Sequence, residues 1–495
     1  MQRKSNATLK KILCLLLCAV ITVPLVVSCA KNDGVGQEST AVSTTGTEDD
    51  DPYSDRGSIP DDLPDENYEG ADFRIYLRSE TNNNTDFFAE KETGDLVNDA
   101  VFARNLAVSE RFNVNIKFNF DSSGNTTYTT TAVTAILADE DANDVLGLHG
   151  AFAFNHAKQG YLLDWKTDLP FVNLEKPWWD QDFVENMAMA NRLFAMTGDI
   201  SHLSVGSTFC LVFNKKLFEQ YRIDYPYASV LDNSWTFEKF SKIVKDSSID
   251  LNGDSKQTPG ADLYGLHTGI WSAPIQIFYS AGDRVITIDD NGEPSITVFT
   301  ERTVDIFTKF FDLIDNYNCF VVGISSAYEG DMFRSDLCMF SAASMGALVS
   351  LRDMESDIGV IPYPKYNDSV KEYYSLVDAG QNVFSVPVTV REPERVSVIL
   401  EAFAAQGYRK VVPTFYEEAL QIKYARDDDS AGMLDIIRDG RIFDYGYYDA
   451  SISWDLSYIG RNLLEHANHD FASYYNSRQK AADKELGKLY EQYLK

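Results

Sequence analysis

The chain has 495 residues, and 44 lysines and arginines stand against 75 aspartates and glutamates, a formal net charge of −31 at pH 7. That balance speaks against nucleic-acid binding, which needs clustered cations against phosphate, and against a basic membrane-docking face. A hydrophobic content of 44% with 13% aromatics speaks against disorder, and six cysteines over this length are too few for a disulfide scaffold. The length fits two or three domains, or one large bilobal unit.

Arg3, Lys4, Lys10 and Lys11 precede an apolar run from Ile12 to Val27. At 16 residues the run is short for a spanning helix and reads as a secretory h-region. Val26-Val27-Ser28-Cys29 follows and resembles the bacterial lipobox, in which the cysteine is diacylated and becomes the new N-terminus. Residues 1–28 are therefore expected to be a lipoprotein signal, with Cys29 the lipid anchor of an extracytoplasmic protein. Cys210, Cys319 and Cys338 then remain, with Cys210 expected as a buried thiol and a Cys319–Cys338 pair left open. Residues 29–69 are rich in Ser, Thr and acids and read as a solvated, self-repelling tether.

Alternation over Asp72–Leu77 marks a first strand, and Val97, Val101, Leu106, Val108 and Phe112 keep helical spacing. A strand over 113–118, a helix over 130–138 and a strand over 144–148 follow. This β-α-β-α-β run predicts a largely parallel sheet flanked by helices, with ligands outside the carboxyl ends of its strands. A second series starts at Ser207: a strand to Phe213, a helix over Lys215–Tyr221, and a helix over Phe237–Lys245 with Ser234 as its expected N-cap. Strands are also expected at Tyr264–Leu266 and Gly359–Ile361.

Several of these stretches carry a family likeness. Asn191–Asp199, Leu211-Val212-Phe213-Asn214-Lys215, Ser234–Glu238, Ile358–Lys365 and Ile399–Phe403 occur in that order. Together they resemble family 1 extracellular solute-binding proteins of carbohydrate-uptake ABC transporters, the maltose-binding type being the best known. The resemblance implies an α/β, class II periplasmic-binding-protein-like fold: two lobes, each a mostly parallel sheet flanked by helices, joined by hinge strands. Lobe 1 would hold residues 70–205 and 374–425, and lobe 2 residues 206–373 and 426–495. It implies a monomeric receptor that closes on a sugar or oligosaccharide and delivers it to permease subunits, with no catalytic residue. Relatives of the maltose type often carry Gly-Pro-Trp before the Pro-x-Pro strand. Here Ser341–Ala347 offers no aromatic platform, which leaves the sugar unidentified.

A sugar presents C–H faces and a rim of hydroxyls, so its site needs aromatic planes and charged or amide groups. Trp271 follows a strand and, like Trp454, matches a cleft aromatic of the family. Arg78, Glu80, His149, Asp199 and Asp378 sit at expected strand ends or hinges, with Gln381 and Asn382 weaker candidates beside Asp378. Trp235 reads as a structural staple, and Trp178-Trp179 as rim or packing residues.

Asp250, Asn252, Asp254 and the Lys256 carbonyl fall at positions 1, 3, 5 and 7 of an EF-hand-like loop, with Asp262 the nearest late carboxylate. Calcium and a plain Asx-rich turn both fit that spacing; no other cofactor is expected. His466 and His469 read as an exposed helix face. No nucleophile elbow or phosphate loop appears. The same fold binding a peptide or organic anion, and a secreted glycan-active enzyme, remain as alternatives.

Overall fold

The computed structural model describes residues 56–78, 85–324, 330–417, 420, 428–449, 454–466 and 469–495. Cys29 and Glu80 lie outside the described residues, as does the expected signal segment. Strand β1 (Ala71–Arg78) leads through helix α1 (Leu96–Phe112) to β2 (Val114–Asp121), and α2 (Asn125–Leu137) leads on to β3 (Val145–His149). Both β2 and β3 pair parallel with β1, the order read from the sequence. Asp95 caps α1 by accepting the Asn98 N–H, and Asn113 ends it at φ 50°. Asn113 is therefore a left-handed cap rather than the first strand residue. Helix α2 starts five residues before the expected Thr130. Its first turns hide behind threonines whose hydroxyls bond carbonyls four residues back, Thr130 to Thr126 and Thr131 to Thr127, so no apolar period announces them.

The second sheet has five strands: β4 (Phe209–Asn214), β5 (Tyr264–Thr268), β6 (Cys319–Val321), β7 (Cys338–Ser344) and β8 (Ile358–Ile361). Its order is β8-β4-β7-β5-β6, with β4 antiparallel to both neighbours. Strand β9 (Asn382–Ser385) then returns to the first sheet, antiparallel to β3. Each sheet thus has one reversed strand, and each reversed strand follows a crossing between lobes. The crossing chain enters from the cleft end of the sheet rather than the far end. Two crossings run side by side, bridged at Met196–Phe384 and Thr208–Val377. A third lies alongside, where Ser375–Leu376 pairs with Arg441–Ile442.

Some details differ from expectation. The helix over Phe237–Asp246 is capped at Thr236, while the Ser234 hydroxyl turns to Asp232. Phe237 N–H goes to the Lys365 carbonyl, which fixes the helix start two residues late for Ser234. Trp235 is buried, its indole N–H on the Pro362 carbonyl. Cys319 and Cys338 stay free and buried, on strands that flank β5 from opposite sides. Of the expected solvated tether, residues 56–69 lie against the first lobe. Asp61 meets Arg111 at 2.7 Å and Arg409 at 3.2 Å, and Asp62 meets Lys176 at 2.6 Å. Acidity that reads as self-repulsion in sequence is here matched by cations brought in from three distant segments. Among the described residues no helix is long and apolar enough to cross a membrane.

Candidate functional site

The crossings bring the carboxyl ends of β1 and β3 against the segment 378–382. Arg78, last in β1, donates through Nη2 to the Gly380 carbonyl at 2.7 Å and to Asn382 Oδ1 at 3.2 Å. Asp378 accepts the Gly380 N–H at 2.7 Å and the Tyr447 hydroxyl at 2.6 Å. A Cβ on Gly380 would meet Asp378 Oδ1 at 2.5 Å, so a larger residue there would displace the carboxylate. Burial pushes the Asp378 carboxyl above its usual range against those two donors. His149, last in β3, accepts the Ala151 N–H on Nδ1 and so caps the helix Gly150–Ala157. Burial and the nearby Arg78 cation push it down to about 3, which keeps the imidazole neutral.

Trp271 stands on the loop after β5 and is 44% exposed. The Arg461 guanidinium lies 3.9 Å from its ring centre, and Tyr458 meets it edge-on at 5.2 Å. Tyr458 packs on Tyr447, whose hydroxyl holds Asp378, so an aromatic relay joins Trp271 to the hinge. Arg78, His149, Asp378, Gln381, Asn382 and Trp271 thus belong to one connected region. Asp199 does not join it. Its carboxylate faces Arg56 at 3.6 Å on another side of the crossing, and burial pushes it up to about 6. Trp454 heads the short helix Trp454–Ser457, and its side chain is outside what the structure describes. Trp178 and Trp179 are buried, both indoles donating to Glu401.

A hollow of about 590 Å³ opens beside this region, with Gly380 and Gln381 in its floor. Thr85, His202 and Phe415 line it from one direction, Ser344, Ser350 and Arg352 from the other. Of these six only Ser344 lies in a segment noted from the sequence. The one available signal was Ser341–Ala347, the segment without an aromatic platform, whose Ser344 and Gly346 do form a wall. Phe415, itself buried, packs 4.9 Å from His202. His202 is buried and pushed down to about 3, hence neutral, and its Nδ1 has no partner among the described residues. A larger hollow of about 710 Å³, between Glu238, Lys245 and Tyr366, touches none of the crossings.

The Asp250 loop closes on its own backbone. Asp250 accepts the Gly253 and Ser255 N–H groups, Asn252 that of Asp254, and Asp254 that of Lys256. Asp262 is buried and holds Leu251 and Thr258 N–H groups at the loop's base. Among the described residues no group of three or more His, Cys, Asp or Glu is arranged to hold a metal ion.

Residues 95–387, which run from α1 past β9 and span the first two crossings, match the sequence profile of the bacterial extracellular solute-binding proteins. The chain belongs to that family. Solved structures share the fold of this solute-binding protein at low identity. A cyclo/maltodextrin-binding protein complexed with maltotetraose superposes with a TM-score of 0.56 at 11% identity, over 84% of this chain and 97% of its own. An ABC substrate-binding protein from Listeria monocytogenes in complex with cycloalternan gives 0.52 at 11%, over 85% and 98%. A maltose/maltodextrin-binding domain from Bdellovibrio bacteriovorus bound to maltotriose gives 0.50 at 14%, over 86% and 100%. No curated protein matches the sequence.

Proposed function

We propose that this solute-binding protein is the extracytoplasmic receptor of an ABC importer, and that it binds a sugar or oligosaccharide between its lobes for delivery to the permease. The observation that carries the reading is the meeting of polar groups and an exposed ring at the crossings. Arg78, His149 and Asp378 supply charged and neutral hydrogen-bonding groups on one connected frame, and Trp271 supplies an open aromatic face. Closure of the lobes about the crossings would bring both onto one ligand. The protein acts by binding, without turnover, as a monomer held to the membrane through lipidated Cys29; the lipobox-like Val26–Cys29 supports the anchor. For the Asp250 loop we propose a structural calcium held by Asp250, Asn252, Asp254 and the Lys256 carbonyl. Its support is their spacing and the unused lone pairs of side chains that each already accept an amide.

The test is a thermal-shift screen of mono- and oligosaccharides. The protein should begin before Arg56, because residues 56–69 pack on the body. A true ligand at 100 times its dissociation constant adds about 2.7 kcal/mol, with no sugar consumed. A flat response across the panel sinks the sugar reading and turns the search to peptides and organic anions.

A further inference from the structure

Every other tryptophan whose side chain is described, Trp165, Trp178, Trp179 and Trp235, is buried. Trp271 is exposed on a short loop, where a side chain is ordinarily free to turn. Here it is held. The loop backbone is pinned first: the Ser272 hydroxyl accepts the Gly269 N–H at 3.2 Å, and the Thr268 hydroxyl accepts the Ala273 N–H at 3.1 Å. The ring is then met edge-on by Tyr458 and covered by the Arg461 guanidinium. Trp271 stands at the crossing end of the second sheet. Strand β4 leaves the first crossing and runs antiparallel to β7, which is parallel to β5, so β5 finishes where β4 begins.

The residue before Arg461 brings it there. A Cβ on Gly460 would run into the Pro274 carbonyl and stand 2.9 Å from the Phe307 ring. Glycine thus lets the helix Ile459–Glu465 lie directly on the start of the helix Ala273–Ser280, two residues past Trp271. Arg461 follows at once, and its Nη2 donates to Glu465 Oε1 at 2.9 Å. Its Nε is buried and has no hydrogen-bond partner among the described residues. Leaving a buried donor unpaired costs free energy; stacking on the Trp271 ring is what offsets it.

We propose that Arg461 is a positioning residue for ligand binding: stacked on Trp271, it holds the exposed ring in one orientation at the cleft, ready for the C–H face of a sugar. The inference rests on the sugar reading above and adds the group that organises its aromatic side. Ordering a tryptophan rotamer in advance removes a loss of freedom that the ligand would otherwise meet on binding. A ring fixed only for packing would be covered, as the four buried tryptophans are.

The experiment is calorimetric titration of the full chain with mono- and tetrasaccharides of the glucose, xylose, galactose and mannose series. It is repeated with Arg461→Ala and Arg461→Lys, each with and without Trp271→Ala. Arg461→Ala should bind about fivefold more weakly than the parent. Arg461→Lys should recover part of that loss, because its ammonium can still sit over the ring. Neither change should matter once Trp271 is alanine, a coupling that a merely structural role would not produce. Without sugar, acrylamide quenching of tryptophan fluorescence should rise in Arg461→Ala and not in its Trp271→Ala counterpart. Equal affinities of parent and Arg461→Ala overturn the inference and leave the sugar reading standing. A loss that persists undiminished without Trp271 does the same, because Arg461 then acts independently of the ring. Unchanged quenching overturns the hold on the ring itself. No binding of any of these sugars by the parent overturns the sugar reading, and this role with it.

Discussion

The two lobes present different materials to the cleft. On the first, Arg78, His149 and Asn382 are each tied to backbone or side-chain partners before any ligand arrives. On the second, the wall is small and open: Ser344 and Gly346 line the hollow, and Trp271 keeps almost half its surface in solvent. One wall has its geometry set by buried polar networks, which lowers the entropy lost on binding. The other offers exposed surface with few such ties. Substitutions on the first side should therefore act through stability, and those on the second through affinity.

The strongest way to break this contrast is at Arg104. It is fully buried, donates to the carbonyls of Ile200 at 2.9 Å and Asp86 at 2.8 Å, and lies 4.4 Å over the Phe87 ring. Burial lowers its pKa to about 10, so it stays a cation at neutral pH. Arg104→Met strands two buried carbonyls, one of them in the first crossing. The expected loss is about 3 kcal/mol in urea denaturation. A loss under about 1 kcal/mol would show that the polar network does not set the first wall.

Glu401 gives a smaller effect with a pH signature. Its two oxygens accept the indole N–H groups of Trp178 and Trp179 at 3.0 and 2.9 Å, and Asn173 N–H adds a third. Glu401→Gln sets an amide N–H₂ against an indole N–H and should cost about 1–3 kcal/mol. Burial outweighs these donors and the nearby Lys176, and raises the carboxyl from 4.5 to about 7. A folded-state pKa raised above the unfolded one means that this group's stabilising contribution is complete below about pH 4.5. That contribution is lost as pH rises through 7. Melting temperatures of parent and variant should converge from pH 5 to pH 8, and parallel curves would remove Glu401 as the titrating group.

Trp271→Ala should separate the lobes most cleanly. The side chain is 44% exposed but packs on Arg461 and Tyr458, so the unliganded protein should lose about 1–2 kcal/mol. Sugar affinity should fall about tenfold or more as the stacking face disappears. An unchanged affinity in titration calorimetry would move the ligand off the second-lobe wall.

Local pattern was enough for the first β-α-β-α-β unit, because Val101, Val108 and Phe112 bury α1 and Val97 is half-buried, although Leu106 of the same expected spacing is exposed. It was also enough to place Arg78, His149 and Asp378 at strand ends and hinges. Asp199 shows where that reasoning stops: an acid at the end of an expected hinge strand looks the same whether it faces a ligand or, as here, Arg56. His202 and Phe415 illustrate the converse. They converge on the hollow from segments far apart in sequence, and neither has a local neighbour to announce a site. Trp178, Trp179 and Glu401 likewise meet only in three dimensions.

The Asp250 loop supplies the mildest test of the contrast. It lies before Tyr264, at the amino end of β5, whereas Trp271 follows the carboxyl end of the same strand. A calcium ion there would steady the outer end of the second lobe without touching the wall that meets the ligand. At ten times its dissociation constant calcium should add about 1.4 kcal/mol to the parent. Asp250→Asn should abolish that gain, with a metal-free loss of only about 0.5–1 kcal/mol from the weakened amide bonds. Sugar affinity should be the same with calcium or chelator. If calcium changes that affinity, the strand transmits strain between its two ends, and the second wall is as organised as the first.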